Sequence, residues 1–392
     1  MRFRLLLLGA VAAGVLGLST QRVPTAEAAT LTVCASGCPY TTIQSAINAA
    51  QTGDTISIAP GTYVENLAIG GAATRLRLQK GLGGGFFAGF PGFPSVPGFP
   101  WFPNLGGGEV IVDGGGVDRV LTVDGGRTVE LVDLTVRNGA AAGGGGILNA
   151  GTLRLTRVTI SANASTGFGG GISNTGSLDA TLSEVSGNHS PSNGGGIFNE
   201  GTMTLTNVVV RDNTATGNTG GGISNVGTLT LRNVQVRGNH AGFSGGGLSN
   251  AGGGNLTGTA VEVAENTAGQ RGGGIFNVGG AALTLSNSFI RNNDGNTISV
   301  GFAGGGGIAQ ESPGPMTLTN TIITGNTASQ GGGLYLFANR SVSLRSSVVS
   351  RNTATGAGGG GGVFTEAGTS LTRTATTIFG NNPNDCAGAV SC

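Results

Sequence analysis

Apolar residues alternate with Thr, Ser or Arg in short runs along most of the chain, as in Met203-Thr204-Leu205. Alternation with a period of two places successive side chains on opposite faces of a β-strand. The repeated runs lack the 3.6-residue apolar spacing of a helix. A glycine-rich stretch such as 194–199 precedes each run, and a second β-branched run with an Asn follows it. The pattern predicts two or three short strands per unit.

The unit recurs along the chain at nearly fixed length. The last glycine of successive copies is Gly146, Gly171, Gly196, Gly222, Gly247, Gly274, Gly307, Gly333 and Gly362. These steps of 25 to 33 residues indicate a solenoid. Short strands that pair with their counterparts about 4.8 Å away in the next unit describe a parallel β-helix.

Asn residues recur at two places in the repeat. The first row comprises Asn163, Asn188, Asn213, Asn239, Asn266, Asn293, Asn326 and Asn352. The second row comprises Asn149, Asn174, Asn199, Asn225, Asn250 and Asn277. Stacked amides can hydrogen-bond along the axis, and Asn tolerates the left-handed conformation of a corner. We therefore predict structural asparagine ladders, with a hydrogen-bonding ligand surface as the alternative.

The glycine runs raise the question of a phosphate-binding loop. Such a loop needs a following Lys and a helix N-terminus, and the only Lys of the chain is Lys80. Corner glycines that adopt positive φ or let two backbones approach each other account for the runs.

Residues 1–28 have the features of a secretory signal peptide. Two arginines precede the apolar run 5–18, and the small-x-small stretch 26–28 fits a cleavage site. The apolar run is short for a membrane anchor. We expect the mature chain to be secreted or held at the cell surface, without a transmembrane span.

Charge narrows the choice of partners. The full chain carries 20 Lys and Arg against 19 Asp and Glu, a net charge of +1. Loss of the predicted signal peptide removes three basic residues and one acidic residue, which moves the net charge to −1. A near-neutral chain with scattered charges has no electrostatic footprint for nucleic acid. The partners that we expect are an extracellular polysaccharide or another surface protein.

Four cysteines lie in pairs near the two ends of the mature chain. Cys34 and Cys38 form one pair, and Cys386 and Cys392 form the other. In an exported protein this arrangement predicts two local disulfides. A four-cysteine metal site is the alternative, although the two pairs would lie at opposite ends of a rod.

A helical pattern of ten residues begins at Thr41, where Thr41 and Gln44 can form a capping box. Its apolar face comprises Ile43, Ala46, Ile47 and Ala50. A solenoid needs its exposed end covered, so we predict that this helix caps the first coil. Residues 29–80 would then form the cap and first coil, with strands at 54–58 and 63–69.

Three segments of this region form a recognisable series. They are Thr42-Ile43-Gln44-Ser45-Ala46-Ile47, Gly53-Asp54-Thr55-Ile56 and Pro60-Gly61-Thr62-Tyr63-Val64-Glu65. The series resembles the opening of pectin-lyase-like right-handed β-helix proteins. The later Gly-Gly-Gly-Ile-x-Asn copies are similar to repeats of secreted bacterial β-helix proteins and of polymorphic outer membrane proteins.

The resemblance covers nearly the whole mature chain outside residues 81–108. It implies an all-β, single-stranded right-handed parallel β-helix of about a dozen coils with an N-terminal capping helix. Residues 109–380 would form the repeats, and residues 381–392 would form a C-terminal cap. A fold does not fix an activity.

Residues 81–108 interrupt the repeat. Six Phe and one Trp stand there among Gly and Pro. Because Pro disfavours a central strand, the segment is predicted to be a loop that leaves the coil. A flap packed on the rod, an adhesive or partner-binding patch and plain disorder all stay open.

The resemblance also directs attention to polysaccharide-cleaving residues. The Asn-Thr-Asp and Gly-His-Gly stretches of polygalacturonase-like enzymes do not occur in the sequence. Glycoside hydrolysis needs two facing carboxylates and Ca²⁺-dependent cleavage needs converging oxygens, whereas the acidic residues here occupy different positions of their repeats. Glu184 and Asp212, from adjacent units, are the best available pair.

Histidine and arginine supply the remaining chemistry. His189 and His240 lie two units apart, roughly 9–10 Å, so they cannot share a metal without a third ligand. We therefore predict no catalytic, metal or cofactor-binding residue.

Arg211, Arg237 and Arg291 each stand two residues before a first-row Asn, which predicts an arginine row. Arg suits carboxylate or sulfate recognition, so this row is the candidate for binding an acidic glycan, with a solvated, ion-paired face as the alternative.

Together these observations predict an exported, non-catalytic β-helix protein with a structural or adhesive role. One alternative is a polysaccharide lyase or hydrolase that acts on acidic, pectin-like glycans. The other is a glycan-binding module that uses the arginine row.

Overall fold

The structure is a computed structural model that describes residues 27–81, 108–295 and 304–389. Within these residues the chain winds into a right-handed parallel β-helix of about 12 coils. The predicted fold class is therefore confirmed. The signal-like segment 1–28 and the insertion 81–108 lie almost entirely outside the described residues.

Three parallel sheets run along the rod. Sheet 1 contains 23 strands of the described chain, and most coils contribute two of them. Its strands are Thr30–Val33, Thr55–Ile58, Gly61–Val64, Arg75–Lys80, Val110–Asp113, Thr128–Val132, Thr135–Arg137, Thr152–Thr156, Thr159–Ser161, Ser177–Thr181, Glu184–Ser186, Thr202–Thr206, Val209–Arg211, Thr228–Arg237, Asn255–Ala264, Ala282–Ser286, Phe289–Arg291, Met316–Thr319, Ile322–Thr324, Ser341–Arg345, Val348–Ser350, Ser370–Thr374 and Thr377–Phe379.

Sheet 2 follows the glycine runs and contains 12 strands of the described chain. Its strands are Leu67–Ile69, Leu121–Val123, Ile147–Asn149, Ile172–Asn174, Ile197–Asn199, Ile223–Asn225, Leu248–Asn250, Ile275–Asn277, Ile308–Gln310, Leu334–Leu336, Val363–Thr365 and Cys386–Gly388. The last of these strands lies in the predicted C-terminal tail and extends the sheet along the rod.

Sheet 3 follows the first asparagine row and is made of very short strands. They are Ala140–Gly143, Ala164–Phe168, His189–Ser190, Thr214–Ala215, His240–Ala241, Thr267–Ala268, Thr327–Ala328 and Thr353–Ala354. Single bridges through Asp294 join the last two strands to the earlier six.

The core is built from columns of identical or similar side chains. Leu229, Leu256 and Leu283 occupy successive places in one column of sheet 1, and all three are fully buried. Burial of each such side chain contributes about 1.5–3 kcal/mol. Because alternate residues of each strand point inward, the stacked strands form one continuous core along the axis.

The capping helix spans Ile43–Ala49, and its N-cap is Thr42 rather than the predicted Thr41. Thr42 accepts a hydrogen bond from Ser45 N at 3.2 Å, and the carboxylate of Glu65 accepts from the backbone N of Ile43 and Gln44, both at 2.8 Å. The predicted capping box was therefore wrong, because the Gln44 side chain bonds to Asn48 and Ala68 instead of to the N-terminus of the helix. The predicted apolar face of the helix is buried.

The predicted asparagine ladder runs along the corner between sheets 1 and 3. Asn188 Nδ2 donates to Asn213 Oδ1 at 2.9 Å, and the same oxygen accepts from Asn188 N at 3.0 Å. Asn188 Nδ2 also donates to the Ile160 carbonyl at 3.0 Å. The ladder continues one residue further than predicted, to Asn381, whose Nδ2 donates to Asp385 Oδ1 at 2.9 Å.

The left-handed corner residue lies one position before the ladder Asn. Asp212, Glu265 and Asn292 have φ values of 55°, 58° and 54°. The expectation that the ladder Asn itself takes this conformation was wrong, because the bend one residue earlier turns the Asn side chain into the corner. Asn residues at the bend within sheet 1 do adopt it, as at Asn207 and Asn233, with φ of 53° and 52°.

The glycine runs make room for the ladder. Gly194 has φ of 71°, a conformation that favours glycine. A Cβ on Gly196 would lie 2.7 Å from the Gly222 carbonyl oxygen and 2.9 Å from Asn213 Cγ. The glycines are therefore corner residues, as predicted.

Candidate functional site

The three arginines of the predicted row lie on one line of sheet 1. Arg211 is directly opposite Arg237 in the next coil, Arg237 is opposite Ala264, and Ala264 is opposite Arg291. The outward position at the end of each second strand thus carries the row. Its members differ in what surrounds them.

Arg211 is bound by two carboxylates. Its Nη2 lies 2.7 Å from Glu184 Oε1, and its Nη1 lies 2.7 Å from Asp212 Oδ2. The hydrogen bond with Asp212 and the charge of Glu184 raise the pKa of Arg211. The guanidinium therefore occupies the space between the two carboxylates, where a glycoside hydrolase would hold its substrate.

Arg291 repeats the arrangement three coils further along. Its Nη2 lies 2.6 Å from Glu262 Oε1, and its Nη1 lies 3.8 Å from Glu265 Oε1. These pairs are at least a quarter exposed, so each contributes little to stability. Arg291 and Arg211 therefore both form ion pairs with carboxylates of the rod itself.

Arg237, between them, is exposed and has no ion pair within the described part of the chain. Its neighbour Gln235 is also exposed. Arg237 is the member of the row whose guanidinium is open to an external carboxylate or sulfate.

The asparagine ladders do not form a ligand surface. Every member of both predicted rows has a relative exposure of 1% or less. In the second row Asn174 Nδ2 donates to Asn199 Oδ1 at 2.7 Å, and the row ends with Asn277 donating to Gln310 Oε1 at 2.8 Å. The ladder interpretation holds, and the ligand-surface alternative was wrong because the amides face inward and bond to one another.

The two histidines lie on the row of sheet 3 strands, two coils apart with Thr214 between them. His240 Nδ1 lies 2.8 Å from Thr267 Oγ1. Among the described residues no group of three or more His, Cys, Asp or Glu side chains could hold a metal ion.

Cys34 and Cys38 form the predicted disulfide, which excludes them as ligands of a four-cysteine metal site. Cys386 is also disulfide-bonded. Its predicted partner, Cys392, lies outside the described residues.

An aromatic–arginine cluster, consisting of Arg271, Tyr335, Phe337, Phe364 and Glu366, lies on the outer face of sheet 2. The rings of Tyr335 and Phe364 stack at 5.1 Å, and Phe337 lies 4.7 Å from Tyr335. Arg271 Cζ lies 4.9 Å from the Phe337 ring centroid. The three rings are half-buried, so part of each stays open to solvent.

Polar contacts fix the cluster. The Tyr335 hydroxyl donates to Glu366 Oε1 at 2.7 Å, and Arg271 Nη1 lies 2.9 Å from Glu311 Oε2. Burial raises the pKa of Tyr335, and the hydrogen bond and charge of Glu366 raise it further. Tyr335 is therefore a neutral hydrogen-bond donor at physiological pH.

This cluster was not predicted, although the repeat carries a signal for it. Phe198, Phe276, Tyr335 and Phe364 each stand two residues after the last glycine of their unit. That position points outward from sheet 2, where Tyr335 and Phe364 are half-buried, whereas Phe198 and Phe276 are buried. Phe337 and Arg271 carry no such register signal.

The described part of the chain contains no helix that is both long and apolar enough to cross a bilayer.

Comparison with known proteins extends the description of the fold. Residues 223–391 match the family model described as right handed beta helix region. No curated protein and no solved structure matches the chain significantly. The match supports the resemblance at the level of the right-handed β-helix fold.

Proposed function

We propose that this chain is an exported β-helix protein that works without catalysis, in a structural or adhesive role at the cell surface or outside the cell. The signal-like segment 1–28 supports export. The Cys34–Cys38 disulfide supports an oxidising compartment, where such bonds persist.

The observation that carries the non-catalytic assignment is the repeated use of carboxylate pairs around an arginine. Arg211 lies between Glu184 and Asp212, and Arg291 lies beside Glu262 and Glu265. A scaffold that joins neighbouring coils would show such an arrangement more than once, and here its two copies lie three coils apart. A catalytic centre would instead occur once and leave its carboxylates open to a substrate.

A second observation favours adhesion to a polysaccharide over a purely structural role. The aromatic–arginine cluster presents Tyr335 and Phe364 as a stacked pair on the outside of the rod. Aromatic faces combine apolar area with a defined orientation, and they suit the apolar face of a pyranose ring. Arg237 provides a separate point for contact with an acidic group.

The test is a binding isotherm of the purified protein on a panel of neutral and acidic polysaccharides. We expect binding to at least one polymer, and we expect the paired variant Tyr335→Ala with Phe364→Ala to lose most of it. Phe243→Ala is the matched control, because Phe243 is an exposed aromatic residue (49%) outside the cluster.

Arginine contacts are tested separately. Arg237→Gln should weaken binding to acidic polymers and reduce its salt dependence, whereas Arg154→Gln, at another exposed position, should leave both unchanged. Absence of binding to every polymer by a folded protein would contradict the adhesive role.

A further inference from the structure

The two buried carboxylates of the described chain differ in how their charge is balanced. Asp113 is 7% exposed and pairs with Arg137 at 2.9 Å. Asp54 is 5% exposed and forms no ion pair with a basic side chain among the described residues. A buried charge without a counter-charge is costly. Asp54 therefore lacks the cationic partner that Asp113 has.

Asp54 binds two backbone groups at the N-terminal end of the rod. Its Oδ2 accepts a hydrogen bond from Gln51 N at 2.8 Å, and its Oδ1 accepts one from Ala29 N at 2.7 Å. Gln51 follows the capping helix, so the first contact fixes the turn that leads into strand Thr55–Ile58. The second contact joins the carboxylate to the residue that directly precedes the first strand, Thr30–Val33.

Strand pairing sets the position of the Ala29 nitrogen. The Ala29 carbonyl oxygen accepts from Thr55 N at 2.8 Å, and strand Thr30–Val33 then pairs in register with Thr55–Ile58. These contacts involve only Ala29 and the residues that follow it. Removal of the residues before Ala29 would therefore leave its nitrogen beside Asp54.

The peptide bond before Ala29 is the one at which the predicted signal peptide ends. Ala26 and Ala28 supply the two small residues of the cleavage site, so the cut falls between Ala28 and Ala29. A cut one residue earlier or later would place Glu27 at a position that requires a small residue.

Cleavage changes the charge of the Ala29 nitrogen. Hydrolysis adds a hydroxyl group to the Ala28 carbonyl carbon and a hydrogen to the Ala29 nitrogen, which becomes a primary amine. An α-amine has an ordinary pKa of about 7.7–8.0, so at pH 7 it binds a further proton and carries a positive charge. The uncut amide has no such charge.

We propose that removal of the signal peptide creates an ion pair between the α-ammonium group of Ala29 and the carboxylate of Asp54, and that this pair stabilises the docking of the first strand. The nitrogen that gains the charge already lies 2.7 Å from Asp54 Oδ1. Coulomb attraction then adds to the hydrogen bond that the uncut chain makes. This ion pair presupposes the proposed export, because it forms only once residues 1–28 are removed.

The first strand lies at an end of sheet 1, where such a bond has the greatest effect. In the described chain it pairs along its length with Thr55–Ile58 and otherwise only through one bridge, from Val33 to Tyr40. Strands at an end open more easily than internal strands. Leu31 and Val33 are buried, so opening would expose the core beside the capping helix. The mature chain therefore holds this end of the rod more firmly than its precursor does.

Hydrogen exchange of the amides of Thr30–Val33 tests the proposal, because it reports local opening of that strand. The mature chain that begins at Ala29 is compared at pH 7 with the same chain acetylated at its α-amine, which loses the charge but keeps the N–H. Lys80 is the only Lys of the chain, so a Lys80→Arg background leaves the α-amine as the only amine to acetylate. We expect the strand to exchange roughly five- to tenfold more slowly in the free-amine form.

Asp54→Asn separates the ion pair from other effects of the free amine. In this variant the free-amine and acetylated forms should exchange at the same rate, since the carboxylate is absent. Asp179→Asn is the matched control, because Asp179 is exposed and lies in a later coil. It should keep the full difference between the two forms.

Equal exchange of the free-amine and acetylated wild-type forms would overturn the proposal, and this comparison decides even where Asp54→Asn does not fold. A difference that persists in folded Asp54→Asn would overturn it as well. Mass spectrometry of the exported protein should find Ala29 as the first residue, and any other first residue would contradict the proposal.

Failure of this proposal is distinguishable from failure of the proposed function. A chain that is retained inside the cell with residues 1–28 uncut would contradict export. Protein prepared with Ala29 as its first residue would still show whether the ion pair forms. The polysaccharide-binding isotherm decides the adhesive role independently, because the exchange measurement involves no polysaccharide.

Discussion

At the scale of single residues, the buried carboxamides hold the corner of each coil. Asn213 Oδ1 accepts from the N and Nδ2 of Asn188, while its own Nδ2 donates to Asn239 Oδ1 and to the Val185 carbonyl. All of these groups lie in the interior. Leaving one of these buried groups without a hydrogen-bond partner costs more free energy than its hydrogen bond contributes to stability.

Asn213→Ala should therefore lower the free energy of unfolding by about 2–4 kcal/mol, because it leaves buried donors and acceptors without partners. Chemical denaturation followed by circular dichroism measures the change. Asn255→Ala, at an exposed strand position, should stay within about 0.5 kcal/mol of the wild type. Equal effects of the two substitutions would show that the ladder does not stabilise the rod.

The environment of Asp113 leads to a prediction about how stability depends on pH. It accepts from Gly115 N at 2.9 Å, Arg137 Nε at 2.9 Å and Asn138 Nδ2 at 2.8 Å. Burial opposes its charge, but these donors outweigh burial and hold the pKa of Asp113 below its ordinary value.

A carboxyl with a lowered pKa in the folded state stabilises the protein above its unfolded-state pKa of about 3.9, and this contribution is lost as the pH falls through the folded-state pKa. Asp113→Asn should therefore be less stable than the wild type at neutral pH, and its stability should fall less on acidification below about pH 4. Unfolding midpoints measured across this range test the prediction. Asp179→Asn, at an exposed position, should follow the wild-type pH dependence, and an identical curve for Asp113→Asn would refute the assignment.

At the scale of elements, the coil depends on close approach of glycine backbones at the start of sheet 2. Gly196→Ala would bring a Cβ to 2.7 Å from the Gly222 carbonyl oxygen and against the Asn213 amide. We expect a loss of about 1–3 kcal/mol from this overpacking, measured by denaturation. Gly71→Ala is the control, because nothing lies within 4 Å of its added Cβ and its φ does not require glycine. A neutral Gly196→Ala would mean that the corners are wider than the structure shows.

The elements could be predicted from sequence wherever one repeat determines them. Alternation in Met203-Thr204-Leu205 correctly gave the strand Thr202–Thr206. The predicted strand 63–69 was instead divided into Gly61–Val64 and Leu67–Ile69. Glu65 interrupts it because its carboxylate binds the N-terminus of the capping helix, a contact that local alternation cannot reveal.

At the scale of the whole molecule, features that recur at the same position of each repeat could be predicted from the sequence, and features that combine unrelated positions could not. The arginine row followed from the repeat because Arg211 and Arg237 occupy equivalent positions. Their different ion pairing did not follow, since Glu184 and Asp212 stand at unrelated positions of their own units. The aromatic–arginine cluster combines a repeat position with residues outside it, so the sequence contains only part of its signal.

We interpret the rod as a surface that binds a polysaccharide without cleaving it. Its carboxylate pairs are occupied by arginines, while the aromatic–arginine cluster and Arg237 face outward. The competing account is a lyase or hydrolase of acidic polysaccharide. The two accounts differ in a single observable, the appearance of new chain ends.

The most direct measurement is therefore incubation of the purified protein with a panel of polyuronates and other acidic glycans, with and without Ca²⁺, beside a heat-inactivated control. We expect no unsaturated products and no new reducing ends above the control, from protein that circular dichroism shows to be folded. Product formation that Arg211→Gln or Asp212→Asn abolishes would contradict the non-catalytic account and place an active site at that ion-paired cluster.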